Sequence, residues 1–354
     1  MANFFTNKQV TIIVCCVAAV FVCMGLITIV AELAEDDDTG KQLVMDNQGS
    51  DESGRKYKFE NKDYRSEGAG NEDSVVVNKP LEGDPYKELE ELVGLTSVKE
   101  EVKSLANFVK VQKMREKKGL KTPKLSYHLV FTGSPGTGKT TVARIVARIY
   151  KDLGILKKGH LVETDRSGLI GEYVGQTAPR VNQICDSALN GVLFIDEAYA
   201  ITQNDKGSDY GAEAVATLLK RMEDDRDRLV VIVAGYTNEM KHFIESNPGL
   251  QSRFNKYINF PDYTPAELFD IFRLYLKKNE YTITKEAAQY MKNELEYVVK
   301  NKSRNFGNAR YVRNVFEKAI QCQADRVSQM KNVSDDQLVE ITLADIKEGM
   351  KLTH

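Results

Sequence analysis

Cysteine and histidine are scarce in this sequence, at five and four among 354 residues. Cys15, Cys16 and Cys23 fall in one apolar run, leaving Cys185 and Cys322 elsewhere, so no disulfide framework is available. His128, His160, His242 and His354 are scattered without ligand spacing, and no Ser/His/Asp or Cys/His grouping presents itself. A metal-ligand cluster or a side-chain nucleophile therefore has no support as the basis of the chemistry. A charge excess is missing too: 49 Lys and Arg stand against 51 Asp and Glu, for a net charge of -2. With no basic stripe carrying interleaved aromatics, a domain built around a nucleic-acid backbone is not expected.

That near-neutral total is a sum over unlike parts. After a short tail, residues 1–9, whose single charge is Lys8, Val10 to Ala31 is a run of 22 residues without charge or proline. As a helix it rises about 33 Å, enough to span a bilayer, and it is longer than the apolar region of about 7–15 residues in a signal peptide. Residues 10–31 are therefore expected to be a transmembrane anchor, although Ala31-Glu32-Leu33-Ala34 offers small residues to a peptidase. Residues 32–84 carry 15 acidic and 7 basic residues with no sustained apolar period, the composition of a disordered linker. The remaining 270 residues carry +5 and are enough for two subdomains, 85–261 and 262–354.

Tyr127 to Phe131 is a short apolar, β-prone run, and residues 142, 145, 146 and 149 recur with helical spacing. Between them lies Gly133-Ser134-Pro135-Gly136-Thr137-Gly138-Lys139-Thr140, followed by Thr141, which matches the phosphate-loop pattern at every fixed position and in the strand–loop–helix context it needs. Glycines let backbone N–H groups wrap the phosphates of a nucleotide. Lys139 is placed to reach the β and γ phosphates, and Thr140 offers a hydroxyl to Mg²⁺. Further on, Gly191 to Ile195 reads as a buried parallel strand ending in Asp196 and Glu197. Side chains alternate along a strand, so the two carboxylates are expected to diverge, Asp196 holding Mg²⁺ through water and Glu197 activating the attacking water.

The order of these motifs, with Phe194-Ile195-Asp196-Glu197, a strand at Leu229 to Ala234, Gln251-Ser252-Arg253-Phe254 and Gly307-Asn308-Ala309-Arg310, resembles the AAA+ ATPases. Asp209-Tyr210-Gly211, Val233-Ala234-Gly235-Tyr236, Glu245-Ser246-Asn247-Pro248-Gly249 and Phe260-Pro261-Asp262-Tyr263 narrow the resemblance to the CbbX and stage V sporulation protein K branch, over about Pro85 to Leu352. It implies an α/β P-loop AAA+ domain with a parallel sheet flanked by helices at 85–261, and a small all-helical lid at 262–354. For the lid, Thr264-Pro265-Ala266-Glu267 reads independently as a capping box with Pro at the first helical position, and Thr284 and Asn308 open further helices.

The resemblance also implies roles. Arg253 corresponds to the arginine finger that reaches a neighbouring subunit's ATP, and Thr237 to the polar first sensor, with Tyr236 or Asn238 as alternatives. Arg310 corresponds to the second sensor. A cation in a helix's first turn is disfavoured by about 0.3–1 kcal/mol, a penalty that a bound polyphosphate removes. Residues 169–176 correspond to the loop facing a central pore, with Tyr173, Val174 and Gly175 as a paddle that grips extended peptide, and Thr202 to Ser208 to a second such loop. The implied whole is a hexameric ring using ATP and Mg²⁺ to remodel or thread a protein partner. A slow nucleotide-gated scaffold at a membrane is the alternative, and a Rubisco activase a lesser one. The flanking cations, Lys8 with the α-amine against Lys41, put the N-terminus inside. The need for ATP overrides that cue and places the ATPase domain in the cytoplasm.

Overall fold

The continuous apolar runs become central strands because a parallel sheet covered by helices buries both faces of each strand. The computed structural model describes residues 49–50, 56–57, 75–78, 82–123, 126–171, 173–203 and 210–352. β1 (Gly49–Ser50) and β2 (Lys56–Tyr57) pair antiparallel with each other. β3 (Val76–Asn78), β4 (Leu129–Gly133), β5 (Leu161–Thr164), β6 (Gly191–Ile195), β7 (Leu229–Gly235) and β8 (Tyr257–Phe260) form one six-stranded sheet in the order β3-β5-β6-β7-β4-β8. Every residue of β4, β6 and β7 is buried. β4 to β8 run parallel, and their C-terminal ends gather at one edge, where such sheets bind ligands.

β5 opens just after His160, whose ring hydrogen-bonds the Ser187 carbonyl at 2.8 Å. The stretch 32–84, read as devoid of regular structure, supplies β3, which pairs antiparallel with β5. Val75, Val76 and Val77 are β-branched, Val77 is buried, and the strand covers an edge that would otherwise expose unpaired backbone groups. The expected anchor at 10–31 and tail at 1–9 lie outside the described residues. Among the described residues no helix is long and apolar enough to cross a membrane.

The lid, expected to be all-helical, is mainly helical. The Thr264 capping box forms as expected, with Pro265 opening the helix Pro265–Lys278, and Thr284 caps Lys285–Lys300. Asn308 does not cap: it precedes Ala309–Ser328 with φ 47° and ψ -121°, and its side chain makes no cap hydrogen bond. It is fully buried and turned instead to the phosphate loop. A two-residue parallel pairing of Thr282–Ile283 with Glu340–Ile341 adds a small strand element to the lid.

Candidate functional site

A cleft of about 660 Å³ lies where the sheet's C-terminal edge meets the lid. Gly133, Pro135, Gly136, Gly138, Lys139, Thr140 and Thr141 line it from the phosphate loop and the helix Lys139–Asp152. Ser134 and Thr137 shape the loop from behind: the buried Thr137 hydroxyl donates to the Ser134 carbonyl at 2.8 Å. The Lys139 ammonium donates to the Gly133 and Ser134 carbonyls at 2.9 and 2.8 Å. Burial lowers its pKa, with Asp196 opposing that shift, so an anionic ligand would favour the charged form. Gly136 has φ +69°, and a Cβ there would run into the Gly307 carbonyl of the lid; glycine permits both the turn and the approach.

Asp196 and Glu197 both line this cleft. The expected divergence of the pair is not what the backbone does. Asp196 still extends the sheet, its N–H donating to the Thr164 carbonyl at 2.9 Å. Glu197 then leaves the strand in the left-handed region, at φ 46° and ψ 42°, so strand alternation no longer applies to it. Such a conformation at a non-glycine residue costs about 1–3 kcal/mol and clusters at functional sites. Its N–H donates to Asp196 Oδ1 at 3.0 Å. Beside it, burial and then the Glu197 charge push the Tyr199 phenol up to about 12.

Tyr236 lines the cleft, and the exposed Thr237 does not. The reason is local: β7 runs on through Gly235, the chain turns at Tyr236, and Thr237 becomes the first residue of the helix Thr237–Glu245. The Tyr236 hydroxyl donates to Asn305 Oδ1 at 3.4 Å, and its ring lies 6.2 Å from that of Tyr199. Arg310 lines the cleft from the lid. Sequence reading missed Arg313, Arg144, Tyr275 and Asn305 in the same lining. Helical spacing carried a signal for two of them: Arg313 follows Arg310 by three residues and Arg144 follows Thr140 by four. Tyr275 and Asn305 arrive through the lid's docking, which leaves no mark in local sequence.

The lid is fastened to the phosphate loop by hydrogen bonds. Asn308 Nδ2 donates to the Pro135 carbonyl at 3.3 Å and to Asp262 Oδ1 at 3.0 Å, while its Oδ1 accepts from the Tyr263 N–H at 3.1 Å. The Ala309 N–H donates to the Gly136 carbonyl at 3.1 Å.

Two groups stand apart from the cleft. Arg253 ends the helix Pro248–Arg253 and contacts Glu223 Oε2 and the Gly249 carbonyl, both at 3.4 Å. Tyr173 and Val174 are 67% and 86% exposed at a turn closed by Gly175 with φ +81°. The Tyr173 N–H donates to Gln176 Oε1 at 3.3 Å, and Leu169 anchors the segment in the core. The second expected loop, Thr202 to Ser208, falls mostly outside the described residues.

Residues 129–262 match the family described as ATPase family associated with various cellular activities (AAA), and residues 264–353 match the AAA lid domain. The chain is 45% identical over 259 residues to a chloroplastic ribulose bisphosphate carboxylase/oxygenase activase of Cyanidioschyzon merolae, covering 72% of this chain and 87% of that protein. It is 41% identical over 262 residues to stage V sporulation protein K of Bacillus subtilis, covering 74% and 80%. Among solved structures, the FIGL-1 AAA domain in complex with ADP shares the fold, with TM-score 0.53 at 19% identity over 79% of this chain and 87% of that one. The chain belongs to the AAA+ ATPases, in the branch with CfxQ homologues and stage V sporulation protein K, and it is an ATP hydrolase.

Proposed function

We propose that this ATPase works as a hexameric ring, tethered to a membrane through residues 10–31 with its ATPase domain in the cytoplasm, and that it draws on or threads a protein partner. The family's ATP and Mg²⁺ suit the donor set of the cleft. Lys139 and the loop amides would bind the β and γ phosphates, with Thr140 and Asp196 beside the metal ion, which would neutralise charge developing on the transferred phosphoryl group. Glu197 would take the proton of the attacking water. Arg310 would meet the polyphosphate from the lid, and Arg253 would meet the ATP of the adjacent subunit. Tyr236 replaces Thr237 in this reading as the polar group at the tip of β7.

The observation that carries the mechanical part is the exposure of Tyr173 and Val174 together. Two large apolar side chains held in water forgo about 25 cal/mol for every Å² they could bury. Placed on a glycine-closed turn, they suit a transient contact with extended polypeptide, which demands area and no particular sequence. Tyr173→Ala is expected to keep ATP turnover and lose partner remodelling; a variant that keeps both sinks the threading reading. The partner would be identified by holding the Glu197→Gln protein with ATP in its native membrane and analysing what co-purifies. The names of the relatives point to carboxylase activation and to sporulation. The apolar run and acidic linker favour an envelope-associated partner. An ATPase rate indifferent to every protein offered would replace this reading with the slow nucleotide-gated scaffold. Protease digestion of the C-terminal 270 residues from outside intact cells would overturn the topology.

A further inference from the structure

Arg253 is held firmly by its backbone and loosely by its head. The Ser126 hydroxyl donates to the Arg253 carbonyl at 2.7 Å, and the next residue, Phe254, is buried with its ring 5.9 Å from that of His128. His128 is itself fixed: Nδ1 accepts from the Val231 N–H at 2.9 Å, and the ring also hydrogen-bonds the Met222 backbone. The Val130 N–H then donates to the Lys256 carbonyl at 2.9 Å, starting the β4–β8 pairing. By contrast, among the described residues the guanidinium is held by the Gly249 carbonyl and Glu223 Oε2 at 3.4 Å, and its Nε is buried without a hydrogen-bond partner.

We propose that Ser126 and His128 are positioning residues for Arg253, and that they serve the ATP held by the next subunit rather than the ATP in their own cleft. The proposal rests on the reading of Arg253 as a finger. Burial, then the nearby Arg253 charge, push the His128 imidazole down to about 4, so it is neutral at physiological pH and adds no repulsion beside the guanidinium. The same short strand ends at Gly133, so the finger's mount and the phosphate loop sit at opposite ends of β4, about 17 Å apart. A neutral ring wedged against Phe254 and a hydroxyl on the Arg253 carbonyl fix where the side chain starts, while leaving its head free to leave Glu223.

Mixed rings separate the two sites. Ser126→Ala is expected to slow ATP turnover of the full chain about fivefold, the worth of one hydrogen bond. His128→Asn is expected to slow it on the order of 10²-fold, as a misplacement of about 1 Å does. Nucleotide affinity should be unchanged in both. Mixing either variant with Lys139→Ala subunits, which hold no ATP but present a native finger, should restore turnover at the variant's own sites. If no recovery occurs while Arg253→Ala is recovered by the same Lys139→Ala subunits, the proposal fails and the finger reading stands. If Arg253→Ala is not recovered either, the finger reading itself has failed. Weakened nucleotide affinity in Ser126→Ala, whose part-exposed side chain tolerates truncation, would place its effect in the cleft and overturn the proposal as well.

Discussion

The cleft and the outward-facing groups are built to different standards. In the cleft Lys139 makes two hydrogen bonds of 2.9 Å or less, Glu197 is held in a strained left-handed turn, and Asn308 ties the lid to the loop from a fully buried position. Tyr173, Val174 and the Arg253 head have exposure or 3.4 Å contacts instead. The chain is thus preorganised to hold a nucleotide, while the groups proposed to complete hydrolysis and to do mechanical work are held loosely. Preorganisation at the phosphates costs nothing at the moment of reaction. Loose groups at the periphery can change partner as the nucleotide changes.

The sharpest way to break this contrast is Arg253→Ala. Loss of a trans-acting finger should lower turnover by about 10³–10⁵ while leaving ATP affinity as it was, measured by phosphate release and by equilibrium binding of a fluorescent ATP analogue. Weakened affinity would mean that Arg253 belongs with the cleft, and the contrast would collapse. Glu197→Gln comes next. Removing a general base should lower turnover by about 10²–10⁴ with ATP binding intact. A variant that loses binding instead would show that the left-handed turn at Glu197 supports the phosphate loop more than the chemistry.

The same contrast explains what could be read in the sequence. The phosphate loop and the Asp196-Glu197 pair were legible because they join a contiguous motif to a contiguous apolar strand, and short-range geometry fixes both. Pro265 and the Thr264 capping box were legible for the same reason. Thr237 lies outside the cleft lining because β7 ends at Gly235 and the chain turns at Tyr236, so Tyr236 stands at the strand's tip and Thr237 already opens the next helix. Asn308 reads as a helix cap because asparagine is among the residues preferred at that position. Besides the nearby Phe306 carbonyl, its partners are Tyr263, Asp262 and Pro135, 45, 46 and 173 residues away and beyond any local pattern. β3 was hidden by the acidic composition around three valines.

A smaller effect tests the tie between lid and loop. Asn308→Ala leaves the buried Tyr263 N–H without its acceptor, at about 1–3 kcal/mol, which for a domain of this size corresponds to roughly 2–4 °C in Tm for each kcal/mol. Asn308→Gly separates the side chain from its unusual backbone, because glycine adopts a positive φ without strain. Equal damage from Ala and Gly, read by calorimetry and by hydrogen exchange in 262–352, assigns the loss to the side-chain hydrogen bonds. Full recovery in Gly would assign it to the backbone, and Asn308 would no longer count as part of the cleft's preorganisation.

The smallest expected effect is one of pH. Burial pushes the Asp262 carboxyl up, but hydrogen bonds from Lys302, Ser134 and Asn308 more than reverse this, so its pKa lies below the ordinary value of 3.8. A depressed carboxyl pKa contributes stability that is fully present above the unfolded value and is lost as pH falls through the folded one. The lid's attachment should therefore be indifferent to pH near neutrality and loosen only in acid, below about pH 4. Asp262 is partly solvated, which screens its ion pair with Lys302 and keeps the change small. Asp262→Asn keeps the shape and removes the charge, so its melting temperature should fall less than that of the unaltered protein from about pH 5 to about pH 3. Coincident profiles would show that the charge at this junction contributes nothing, leaving the neutral hydrogen bonds of Asn308 to hold the lid against the phosphate loop.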